Sequence, residues 1–129
     1  MIETSKGPAR FLEYPAKRAR VTLVLGHGAG GGGIAPDLAA IAEHLPGHGV
    51  SVLLHEQPWK VAGKKVAAAP PVLDVAWIES LATLTPRGRL IVGGRSAGAR
   101  VACRTATEVG ASAVLALAFP LHPPGKPEK

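Results

Sequence analysis

Cysteine, aromatic side chains and acidic side chains are all scarce in this chain. Among 129 residues there is one cysteine, aromatics make up 4%, and 9 aspartates and glutamates stand against 15 lysines and arginines. The lone Cys103 excludes an internal disulfide and fits a reducing compartment. No apolar run is long enough to cross a bilayer, and Met1-Ile2-Glu3-Thr4-Ser5-Lys6 lacks the apolar core of a signal peptide. The expectation is a cytoplasmic protein with no membrane partner. No His or Cys pair has ligand spacing, so neither a metal nor another cofactor is expected. The net charge of +6 invites a nucleic-acid reading. The basic residues are scattered, however, with no interleaved aromatics and no binding motif, so a nucleic-acid partner is not expected. Repeats are absent, and the length sets a single domain over residues 1–129.

What the chain does contain is an alternation of apolar runs and helical patterns. Residues 21–25, 50–54, 90–92 and 113–118 are apolar without alternation, as strands covered on both faces should be. Between them, Leu38, Ile41, Ala42 and Leu45 have helical spacing, with Pro36 and Asp37 suited to a first turn and Gly47 just past the end. Leu73, Trp77, Leu81 and Leu84 make a second helical face, which stops before Pro86. Ala99, Ala102, Ala106 and Val109 make a third, with Arg100, Arg104 and Thr107 elsewhere and Gly110 at its end. The reading is α/β: a parallel, doubly wound sheet with about four core strands and three helices. Residues 10–14 are at best an edge strand. Residues 56–71 form the longest irregular stretch, read equally as a lid or as a solvated connector. In such a sheet ligands bind beyond the carboxyl ends of the strands, where residues 27–33, the turn at Ser96 and residues 119–127 would meet.

Gly93-Gly94-Arg95-Ser96-Ala97-Gly98 carries Gly-x-Ser-x-Gly between a strand and a helix. A serine at so tight a turn exposes its hydroxyl above the sheet, and its neighbours must be nearly free of side chain where the backbones converge. That is the nucleophile elbow of an α/β-hydrolase, with Ser96 as candidate nucleophile. Gly26-His27-Gly28-Ala29-Gly30-Gly31 follows the first strong strand and supports two readings. As an oxyanion hole, the loop at His27, Gly28 and Ala29 would supply one N–H and Ala97 another. As a dinucleotide site, Gly26, Gly28 and Gly31 satisfy Gly-x-Gly-x-x-Gly, with Glu56 as ribose ligand. The first reading explains both loops, the second only one.

These segments, together with Phe119-Pro120-Leu121-His122-Pro123-Pro124-Gly125-Lys126-Pro127-Glu128, resemble the α/β-hydrolase-like family of the testis-expressed protein 30 type, which is distantly similar to dienelactone hydrolases. The resemblance covers essentially the whole chain. It implies an α/β-hydrolase fold and Ser96 at the nucleophile position, and it supplies no substrate; the serine-hydrolase reading itself carries the expectation of a small-molecule ester, thioester or amide as acyl substrate. The resemblance also sustains an alternative, a non-catalytic interaction domain. It sets no oligomeric state.

A serine nucleophile needs a base, and the base an orienting carboxylate. After Ser96 the chain offers only Glu108, His122 and Glu128, and no Asp. Family members continue through two further strands bearing an Asp and a His. The expectation is therefore an N-terminal portion of the fold, with its C-terminal strands missing and weak or no activity. His122 and Arg95 are candidate pocket residues, and His122 between prolines suits loop fixing better than catalysis. His44 and His48 are expected in solvent, and His55 near the pocket only at low odds. Cys103 is expected in the core, as free cysteines usually are. Asp74 is expected to serve as a first-turn charge.

Overall fold

The structure, a computed structural model, describes residues 1–28 and 34–117. The first two apolar runs become β3 (Val21–Gly26) and β4 (Val50–Glu56), parallel neighbours inside a six-stranded sheet. The other two become β5 (Arg89–Arg95), parallel to β3, and β6 (Ala113–Leu117), parallel to β5. Preceding them are β1 (Ile2–Thr4) and β2 (Gly7–Tyr14), a hairpin whose second strand joins β4 antiparallel. The sheet order is β1-β2-β4-β3-β5-β6.

Helices cover both faces, which is why β3 and β4 are apolar throughout. Leu23, Leu25, Val52 and Leu54 meet Leu38 and Ala42 of α1 (Pro36–His44) on one side. Val24, Leu53, Leu90 and Val92 meet Leu73, Trp77 and Leu81 of α3 (Pro70–Ala82), and Val101 and Ala102 of α4 (Ala97–Thr105), on the other. Each aliphatic side chain so buried contributes about 1.5–3 kcal/mol. A short helix, α2 (Pro58–Val61), follows β4.

Four features differ from the sequence expectations. The segment 10–14 is not an edge: β2 lies between β1 and β4, with Phe11 packed toward one core cluster and Leu12 and Tyr14 toward the other. β6 is parallel as expected, yet Ala113, Val114 and Ala116 are exposed, because among the described residues only β5 flanks it. The third helix ends at Thr105 rather than at Gly110. After α1 and a 3₁₀ turn at Leu45–His48, the left-handed cap is Gly49 at φ 82°, not Gly47. Residues 56–71 are divided. Trp59 on α2 is 6% exposed, whereas residues 62–66 lie in solvent.

Candidate functional site

Ser96 follows β5 and caps α4 with φ 55° and ψ −113°, the only non-glycine at positive φ among the described residues. Such a backbone costs about 1–3 kcal/mol and persists only where its surroundings enforce it. The surroundings are glycines. A β-carbon on Gly94 would lie 2.5 Å from the Gly26 carbonyl oxygen, and one on Gly98 would lie 2.3 Å from the same atom. Neither distance is tolerable, so the two glycines flanking Ser96 let β5 and α4 close onto the end of β3. The turn is tied down by Ser96 N–H donating to Leu117 O at 3.0 Å and by Arg100 N–H donating to Ser96 O at 3.1 Å. Gly28 lies against the serine: a β-carbon there would be 3.4 Å from Ser96 Cβ. The Ser96 side chain is half-exposed, and among the described residues no side chain hydrogen-bonds its hydroxyl.

His27 follows β3, and both of its ring nitrogens are occupied. Gln57 N–H donates to Nε2 at 2.9 Å, which makes Nε2 the acceptor. Nδ1 therefore carries the proton and donates it to Gly28 O at 2.8 Å. Burial lowers the ring's pKa, and nearby Lys60 lowers it further, which keeps it neutral. Gln57 completes the brace. It is 4% exposed, its Nε2 donates to His27 O at 3.2 Å, and its Oε1 accepts from Trp59 Nε1. His27 thus shapes the loop at Gly28 with its ring, and it has no lone pair left to act as a base. The sequence reading did not single out Gln57. Its only signal was its place between a strand end and Pro58.

His55 is more deeply placed than expected. It is 2% exposed, and Nε2 and Ser80 Oγ share a hydrogen bond at 2.9 Å. Trp77 stacks edge-on at 5.3 Å and Phe11 tilts against it at 5.2 Å. Burial pushes its pKa down to about 3, aided by His27. Nδ1 is buried with no partner among the described residues. His55, His27, Glu56 and Lys60 line a cavity of about 200 Å³ at the carboxyl ends of β3 and β4, with an aliphatic remainder. This is the strand end where the sequence placed a crevice, one strand over from Ser96.

Arg95 is half-exposed, and its Nε lies 3.6 Å from Asp37 Oδ2 on α1, so it bridges the turn to the first helix. Ala97 is the first residue of α4, with its N–H among the helix's unpaired leading donors. Ala29 and His122 lie outside the described residues. Glu56 is held by Arg10 at 2.6 Å, on the β2 side, which removes the support for a ribose ligand. Cys103 is exposed, not in the core: it falls on the α4 face that also bears Arg104. Asp74 lies beyond the first turn of α3, and both its carboxylate oxygens accept from Arg104 at 2.8 Å. Glu108 lies past the end of α4 and is exposed. His44 and His48 are exposed, as expected. Among the described residues no group of His, Cys, Asp and Glu could hold a metal, and no helix is long and apolar enough to cross a membrane.

The arrangement has counterparts of known structure. An α/β serine hydrolase without lid from Xanthomonas campestris superposes with a TM-score of 0.72 at 19% identity, over 92% of this chain and 59% of its own. The N-formylmaleamic acid deformylase of Pseudomonas putida S16 gives 0.63 at 17% identity, over 91% and 45%. A protein that recognises and cleaves the ring of the Pseudomonas quinolone signal gives 0.58 at 13%, over 91% and 45%. The chain thus spans about half the length of these structures. At such identities the likeness is one of fold. No curated protein matches the sequence. The family model described as an alpha/beta hydrolase domain matches residues 19–129, and the chain belongs to that family.

Proposed function

We propose that Ser96 is the nucleophile of a serine hydrolase acting on an ester, thioester or amide. The observation that carries this reading is the strained backbone of Ser96, enforced by Gly94 and Gly98 against Gly26. Strain of this kind presents a hydroxyl above the sheet and serves no packing purpose. Ser96 Oγ attacks the acyl carbon, and the oxyanion is held by the N–H of Ala97 and by an N–H of the loop at His27, Gly28 and Ala29. The dipole of the nine-residue α4 adds to that field. The placement of Gly28 against Ser96 supports the second donor. His27 acts as a brace for that loop, and Arg95 borders the substrate.

No described histidine is bonded to Ser96, so the chain by itself is expected to turn over slowly, since a triad loses most of its power when one member is missing. That same observation favours the second reading, a non-catalytic interaction domain. Within the family, residues 93–102 and 119–128 support kinship with the testis-expressed protein 30 type, and the single cysteine supports a cytoplasmic setting. The test is hydrolysis of p-nitrophenyl acetate by the chain and by Ser96→Ala. A rate above solvent that is lost in the variant supports the hydrolase. Equal rates leave the interaction domain.

A further inference from the structure

The cavity at the ends of β3 and β4 lies one strand over from Ser96 and has His27 in its wall. Its wall is aliphatic, formed by Leu12, Leu25, Leu38, Leu54 and Ile34, and its volume is about 200 Å³. A leucine-lined cavity of about 150 Å³ accepts benzene, so this one accommodates a tail of roughly eight carbons. Its polar groups are almost all committed. His27 uses both ring nitrogens, His55 Nε2 pairs with Ser80, and Glu56 is taken by Arg10.

The exceptions are the buried Nδ1 of His55, which has no partner among the described residues, and Lys60. Lys60 is half-buried at the cavity, and its ammonium makes no hydrogen bond or ion pair among the described residues. An ammonium beside an apolar hollow, with the neighbouring Glu56 carboxylate already paired to Arg10, is placed to take a ligand's anionic group.

We propose that this cavity binds an aliphatic carboxylate of about eight carbons, with the tail among the leucines and the carboxylate on Lys60. Nothing in this site requires Ser96, so it stands or falls separately from the hydrolase reading.

The experiment is calorimetric titration of the chain with sodium octanoate and with neutral octanamide. Octanoate should bind saturably at one site, about tenfold tighter than octanamide, a ratio expected of one charge-assisted pair. Lys60→Met, which keeps the aliphatic stem, should bring the two ligands level. Ile34→Trp, at a position 45% exposed and so tolerant in folding, should weaken both. Ser96→Ala should bind octanoate like the parent chain, and circular dichroism should report folded protein throughout. Absence of saturable octanoate binding, equal affinity for the two ligands, or unchanged octanoate affinity in Lys60→Met would overturn the proposal.

Discussion

Gly98 and Gly26 meet so closely that a β-carbon on Gly98 would sit 2.3 Å from the Gly26 carbonyl oxygen and 2.5 Å from its carbonyl carbon. The second glycine around Ser96 is thus required by the end of β3, not by its own dihedral angles. Gly98→Ala should destabilise the fold by about 1–3 kcal/mol, the usual result of forcing a methyl group into filled space. Gly47→Ala, with nothing within 4 Å of the new carbon, should change stability by less than about 0.5 kcal/mol. Urea denaturation of the two variants checks the contrast.

Ser96 stores strain, and glycine would release it. At φ 55° and ψ −113° a residue without a β-carbon is relieved of much of about 1–3 kcal/mol, against an entropic cost near 0.5–1 kcal/mol. Ser96→Gly should therefore be more stable than the parent by about 1 kcal/mol while losing any reactivity of the hydroxyl. A thermal melt showing Ser96→Gly less stable than the parent would mean that the backbone is not strained.

Gln57 holds three groups at once, namely the His27 ring, the His27 carbonyl and the Trp59 indole. Gln57→Ala leaves the indole N–H and the carbonyl without their side-chain partner in a buried place, at about 1–3 kcal/mol for each group left unsatisfied. Gln57→Glu keeps an acceptor for Trp59 but sets a buried carboxylate oxygen against the His27 carbonyl, and should lose at least as much. Denaturation midpoints give the ranking, and tryptophan fluorescence reports whether Trp59 has come loose.

Acid should destabilise the protein before its carboxylates titrate. His55 has its folded pKa at about 3 against an ordinary 6.5, so the unfolded chain takes up a proton that the folded chain refuses. Its contribution is complete above the unfolded value and is lost as the pH falls from about 6.5 toward about 3. Between pH 7.5 and 5.5 this amounts to about 1.4 kcal/mol from His55 alone. His27, lowered in the same direction, adds to it. Stability measured across that range should fall in the parent chain and fall less in His55→Gln.

Much of the fold was legible because its signals are local. β3 and β4 are apolar on both faces, and Leu73, Trp77 and Leu81 repeat at helical spacing, so each segment declares its surroundings by itself. β2 was underestimated because Arg10 and Glu13, three apart and so on opposite faces, interrupt its apolar pattern on both sides. Cys103 shows one signal overriding a better one. The general preference of free cysteine for burial pointed inward, while the spacing that sent Arg104 outward also sent its neighbour Cys103 outward. Partners distant in sequence were not legible at all. Asp74 finds Arg104 thirty residues on, His55 finds Ser80 and Trp77, and Gln57 reaches back to His27. The glycines around Ser96 were readable as a steric demand, although the atom making that demand, Gly26 O, emerged only with the sheet order β3-β5.

Covalent capture shows whether Ser96 is a nucleophile. The folded chain is incubated with a fluorophosphonate, digested, and mapped by mass spectrometry beside Ser96→Ala and a urea-denatured control. An adduct is expected on the peptide containing Ser96, absent from both controls. Labelling no greater than in the denatured chain, or labelling that persists in Ser96→Ala, would contradict it.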